Sequence, residues 1–143
     1  MDCNFNSLEH LKNVSLKKLT LSDCSGLENI RLNELPKLVN LELKRCEGLT
    51  SIKQGQDSIG LRQLKIGNCS KLRELAVAAS SDLKALEIEG ADSFERFDSL
   101  ANLQQLQSLK LTDCDHLLQL EFNQPMQLVS IHVEEDRLSL IHI

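Results

Sequence analysis

Residues Leu106–Cys114, LQSLKLTDC, decide how this chain folds, because variants of these nine places recur along it. Aligned on leucine, they read LKKLTLSDC from Leu16, LVNLELKRC from Leu38 and LRQLKIGNC from Leu61. They also read LKALEIEGA from Leu83 and LVSIHVEED from Leu128. Starts near 16, 38, 61, 83, 106 and 128 are 22 or 23 residues apart. A period of that length marks a stack of supersecondary units. Within each unit the LxL alternation sends both leucines to one side of a strand and the residue between them to the other. One such strand cannot bury its leucines alone, but copies stacked about 4.8 Å apart form a parallel sheet with one buried face. The copies predict a curved stack on the order of 25 to 30 Å long, with polar side chains on its open, concave face.

Between the copies lies a second segment: SGLENIRL, EGLTSIKQ, SKLRELAV, DSFERFDS and DHLLQLEF. Ile30-Arg31-Leu32, Leu75-Ala76-Val77 and Leu120-Glu121-Phe122 alternate with period two, which predicts short strands or extended turns on the convex side. DSLANLQQL from Asp98 spaces Leu100, Leu103 and Leu106 by three, which suits a short helix or 3₁₀ turn. NSLEHLKNV, Asn6 to Val14, reads the same way, with Asn6 as N-cap and Glu9 three residues on.

The LxxLxLxxC core followed by xxLxxL resembles the leucine-rich repeats. The cysteine at the ninth place is similar to repeats of plant NLR-type disease-resistance receptors, and to the slightly longer F-box-associated cysteine-containing repeats. The resemblance runs from Leu16 to Val133. It implies a single LRR domain over 1–143, a leucine-rich-repeat solenoid described as a curved right-handed superhelix of β/α type. Its concave face would be a parallel β-sheet, and its convex face mostly short strands, turns and 3₁₀ segments. Residues 1–15 then form a partial repeat or N-terminal cap, and 134–143 an incomplete repeat or C-terminal cap. The implied function is non-enzymatic protein–protein recognition, as the ligand-sensing segment of an intracellular immune-type receptor in plant defense or as an adaptor. The rival reading is a structural or autoinhibitory spacer with no specific ligand in this segment.

Composition narrows the classes. The 143 residues suffice for one domain with a core, but Trp and Tyr are absent and Phe occurs four times, which leaves little aromatic area for a pocket. With 16 Lys and Arg against 21 Asp and Glu, the net charge of −5 argues against nucleic acid or an anionic membrane surface as partner. No apolar run approaches the length of a membrane span, and MDCNFNSLEHLKN lacks the pattern of a signal peptide. Five cysteines, an odd number, read as reduced thiols in a cytoplasmic setting.

Cys24, Cys46, Cys69 and Cys114 hold the ninth place, where the strand turns inward, and Ala91 fills it in the fourth repeat. These side chains are expected to stack as a buried ladder, with weak S–H donors facing backbone groups of the turn. A zinc site needs ligands converging from close pairs, and a line of cysteines a repeat apart does not supply them. In Cys114-Asp115-His116 the thiol should face the core and the imidazole the turn, so they cannot act as nucleophile and base. His10, His132 and His142 lack companions at ligand spacing. No catalytic residue, metal or cofactor is assigned, since no nucleophile, base and orienter converge.

Any binding surface lies on the outward places of the sheet. The central column reads Thr20, Glu42, Lys65, Glu87, Lys110, His132, in which Glu and Lys alternate and can neutralise each other across rungs. One flanking column is Ser22, Lys44, Gly67, Glu89, Thr112, Glu134, and the next is Asp23, Arg45, Asn68, Gly90, Asp113, Glu135. On the other side lie Lys18, Asn40, Gln63, Ala85, Ser108 and Ser130. Arg45 alone belongs to the residue types that dominate binding hot spots. Gly67 and Gly90 are expected to leave a shallow step for a partner's backbone. The acidic end, Glu87 and Glu89 through Glu134, Glu135 and Asp136, suggests a basic protein partner. Uncapped ends would allow end-to-end self-association.

Overall fold

The computed structural model of the chain describes residues 6–12, 15–54, 60–77, 82–95, 97 and 103–114, together with the backbone of strands at 120–121, 130–134 and 141–142. Long and short strands alternate over the first three repeats: β1 (Lys18–Ser22), β2 (Asn29–Arg31), β3 (Asn40–Lys44), β4 (Ser51–Lys53), β5 (Gln63–Gly67) and β6 (Glu74–Ala76). The series continues with β7 (Ala85–Glu89), β8 (Ser108–Thr112), β9 (Leu120–Glu121), β10 (Ser130–Glu134) and β11 (Ile141–His142). The long strands form one six-stranded parallel sheet in the order β1-β3-β5-β7-β8-β10. The short strands β2, β4 and β6 form a second parallel sheet, and β9 pairs with β11.

Each step across the long sheet advances the sequence by one repeat. Leu19 pairs with Leu41, Leu41 with Leu64, Leu64 with Leu86, and Leu86 with Leu109. The repeats are therefore the rungs of a parallel β-solenoid, in the register that the leucine alignment predicts. In β1, β3, β5, β7 and β8 the second and fourth residues are buried, and the others are exposed or half-buried.

The core lies between the two walls. Leu21, Leu43, Ile66, Ile88 and Leu111 enter it from the concave sheet, and Ile30, Ile52 and Leu75 from the convex one. Leu27, Leu49, Leu72 and Phe94 fill the turn between the walls. That turn is the same in every described rung: the N–H of Leu27, Leu49, Leu72 and Phe94 donates to the carbonyl of Cys24, Cys46, Cys69 and Ala91 respectively. Each fully buried leucine removes apolar area worth about 1.5 to 3 kcal/mol. Repetition of this burial holds the stack together, with Phe94 and Phe97 as its buried aromatics among the described residues.

On the convex side, strands occur at the alternating segments, as expected. The first repeat passes from β2 into a 3₁₀ turn, Leu32–Glu34, ahead of Pro36. A second 3₁₀ turn, Glu9–Leu11, precedes β1, and the Glu9 N–H donates to Ser7 Oγ at 3.1 Å. Ser7, not Asn6, thus supplies the local side-chain acceptor, because a 3₁₀ turn tightens the geometry assumed for an α-helical cap. The expected helix over 98–106 begins outside the described residues, and from Leu103 to Leu106 the chain makes a turn. The described residues contain no α-helix, and none is long and apolar enough to cross a membrane.

Candidate functional site: the concave sheet and its two rims

Each of β1, β3, β5, β7 and β8 is followed by a residue with positive φ. Asp23, Arg45, Asn68, Gly90 and Asp113 have φ of 55, 52, 55, 68 and 52°. Their N–H groups still serve the ladder: Asp23 donates to Lys44 O, Arg45 to Gly67 O, Asn68 to Glu89 O and Gly90 to Thr112 O. The left-handed residue closes the sheet and then swings the chain inward, so the ninth residue enters the core. Asp, Asn and Gly tolerate that conformation best, so the eighth place carries a legible signal that the column reading overlooked. Arg45 is the exception, and its guanidinium donates to both carboxylate oxygens of Asp23, each at 2.8 Å. The hydrogen bond from Arg45 holds the Asp23 carboxyl below its ordinary pKa. The arginine singled out as a hot-spot type is therefore engaged within the protein.

The ninth place holds buried side chains, as expected: Cys24, Cys46, Cys69, Ala91 and Cys114 are at most 1% exposed. Cys46, Cys69 and Cys114 are free thiols that donate to the carbonyl two residues back, at 3.7, 3.6 and 3.6 Å. Cys24 is disulfide-bonded, which corrects the expectation of reduced thiols throughout. Its sulfur sits 3.6 Å from Ser22 O, the same station as the others, but has no proton to donate. Parity counting could not find this bond, because pairing depends on which sulfurs the fold brings together. Cys46 and Cys69 titrate as a pair. Interaction with the neighbouring Cys69 thiol draws Cys46 down to about 7 against its burial. The same interaction, reinforced by burial, pushes Cys69 well above the ordinary thiol range.

The concave columns stand in register as aligned, with Thr20 beside Glu42, Glu42 beside Lys65, Lys65 beside Glu87 and Glu87 beside Lys110. The charges pair two by two. Lys65 Nζ lies 4.0 Å from Glu42, which Lys44 also approaches at 3.2 Å, and Lys110 lies 3.6 Å from Glu87. Among the described residues, two shallow troughs lie on this face. One, of about 200 Å³, is lined by Lys18, Asn40, Glu42, Gln63 and Lys65 over Leu19 and Leu41. The other, of about 150 Å³, is lined by Gln63, Lys65, Ala85, Glu87, Ser108 and Lys110 over Leu64 and Leu86.

The flanking columns differ from expectation in detail. A Cβ on Gly90 would run into Asn68 Oδ1, so this part of the expected step is already filled. A Cβ on Gly67 would meet nothing nearer than Leu43 O at 3.8 Å. Ser22 and Thr112 are half-buried, and Thr112 Oγ1 is shielded without a hydrogen-bond partner among the described residues. Glu89 is exposed. His132 and Glu134 are placed by backbone alone, beside Lys110 and Thr112, and their side chains lie outside the described residues, as do Glu135 and Asp136. Among the described residues no group of three or more His, Cys, Asp or Glu could hold a metal ion.

The rims of the sheet carry opposite charge, a feature the inward-looking columns missed. Upstream of the strands, Lys17, Lys18, Lys37, Arg62 and Lys84 are exposed. The second places are stacked: Asn40 N–H donates to Lys17 O, Gln63 N–H to Val39 O, Lys84 N–H to Arg62 O, and Gln107 N–H to Lys84 O. Downstream, Asp23, Glu47, Glu89, Asp92 and Asp113 are exposed beside the cation Lys71, with Lys44 and Arg45 bound to carboxylates. Reading the second place down the repeats would have revealed the basic rim.

Comparison with models of known protein families and with curated proteins found no match to this chain.

Proposed function

We propose that the chain is a leucine-rich-repeat recognition module of the cysteine-containing kind found in plant NLR-type receptors, and that it binds a protein partner without catalysing a reaction. The observation that carries this reading is the six-stranded parallel concave sheet, whose outward columns stand in register over two troughs. The solenoid supports the family reading through its LxxLxL places, which are buried in the described rungs except for the half-buried Leu16. A partner crossing several rungs would meet amides and hydroxyls at Asn40, Gln63 and Ser108, groups suited to a peptide backbone. Three free, buried thiols fit a cytoplasmic setting, and the Cys24 disulfide counts against it.

The rival reading, a spacer with no ligand of its own, draws on the internal pairing of Glu42 with Lys65, Glu87 with Lys110 and Arg45 with Asp23. A photo-crosslinking amino acid at Gln63, compared with one at convex Arg31, separates the two in cells that express the protein. Recognition predicts a discrete adduct from position 63 and none from position 31. Equal adducts, or none from either, would leave the spacer.

A further inference from the structure

We propose that the upstream rim of the concave sheet binds an acidic, extended segment of a protein partner. The inference rests on the recognition reading above and adds a second surface with a stated chemistry. Its basis is a contrast between neighbouring columns of one sheet. In the central column opposite charges alternate, so Glu42 meets Lys65 and Glu87 meets Lys110. At the second place the charges are alike: Arg62 and Lys84 occupy adjacent rungs joined by a 2.8 Å backbone hydrogen bond. Like charges on adjoining strands repel and lower stability. Neither cation makes an ion pair among the described residues, and Asp82, exposed beside them, is bound to neither. Among the described residues this leaves a positive row, interrupted by Val39 in the second rung, with no carboxylate bound to it, where a partner's carboxylate would relieve repulsion.

The row has direction and length. Lys17 and Lys18 begin it in the first rung and Lys84 ends it in the fourth, a span of about 15 Å at the spacing of parallel strands. That suits about four or five residues of extended chain. Arg62 at its middle presents the planar fork that takes a carboxylate through two hydrogen bonds. Asn40 and Gln63, one column inward, offer amide donors and acceptors to the segment's backbone. A nucleic acid is the poorer occupant. The rim has no aromatic side chain for base stacking, and the opposite rim and the net charge of −5 repel a long polyanion.

The test is fluorescence anisotropy with a labelled glutamate–glycine peptide and, separately, a single-stranded oligonucleotide of matched charge. The full chain is compared with Arg62→Glu/Lys84→Glu, with the milder Arg62→Gln/Lys84→Gln, and with Lys71→Glu on the downstream side. All these positions are exposed, and thermal unfolding checks that each variant folds. The expected result is peptide binding that weakens with salt, falls about tenfold or more in both double variants and is unchanged by Lys71→Glu. Absent peptide binding, equal loss in Lys71→Glu, or tighter binding of the oligonucleotide would each overturn the proposal. Crosslinking from Gln63 reports concave recognition by itself. A failed peptide titration with a persistent Gln63 adduct therefore rejects the rim alone.

Discussion

At Arg45 the backbone stands at φ 52° while the guanidinium spans both oxygens of Asp23, whose own φ is 55°. An exposed ion pair and a strained pair of turns are thus built from the same two residues. Asp23 has a lowered carboxyl pKa, so the stability it contributes is present above the ordinary carboxylate range and is lost as pH falls through its folded value. Asp23→Asn keeps a residue that accepts positive φ and removes only the charge. Its melting temperature should lie below that of the parent at neutral pH, and the gap should close in acid; a gap independent of pH would refute a charge effect. The two concave glycines give a sharper contrast. Gly90→Ala forces a Cβ into Asn68 at φ 68° and should cost about 1 to 3 kcal/mol. Gly67→Ala has ordinary space and should be neutral, or stabilising by about 0.5 kcal/mol, in denaturant titration. Similar losses at both sites would contradict the assignment of strain. The sequence pointed to a step at both glycines because composition shows a missing Cβ but not what fills the space.

A single rung tests how the elements compensate. Where the first, second, third and fifth repeats place Cys and Leu, the fourth places Ala91 and Phe94, joined by the same turn hydrogen bond and both fully buried. Phe97 packs against Phe94 with ring centroids 5.5 Å apart and planes tilted by 54°. The small residue makes room for the large one. Ala91→Cys alone should therefore overpack the rung, at about 1 to 3 kcal/mol, while in Phe94→Leu the same change should cost less. A double-mutant cycle with no coupling would show that the two places are independent. The ladder itself predicts that Cys46, Cys69 and Cys114 react with a thiol reagent only as the protein unfolds. Rapid native labelling would refute their burial. Leucine places were legible in the sequence because burial repeats with the period of the strand. The disulfide at Cys24 and the positive-φ column were not, since one depends on approach in space and the other shows only as a preference for Asp, Asn and Gly.

Across the whole molecule, each rung packs on its neighbours, so the same pairing recurs a repeat apart, from Asp23–Arg45 to Glu87–Lys110. A sequence with this period could specify the sheet register because a slip by one residue would turn every leucine outward. The charge of the rims was less legible. It emerges only when places outside the sheet's centre are stacked as the structure stacks them. The basic rim and the acidic rim give the solenoid a transverse polarity that its net charge conceals. The columns and both rims exist only if the repeats are parallel rungs in the stated register. Nuclear Overhauser contacts between labelled leucine methyls and backbone protons report that register. Parallel rungs give contacts linking Leu41 to Leu64, Leu64 to Leu86 and Leu86 to Leu109, one repeat apart each time. Contacts confined to residues three or four apart, or an antiparallel pattern across these segments, would contradict it.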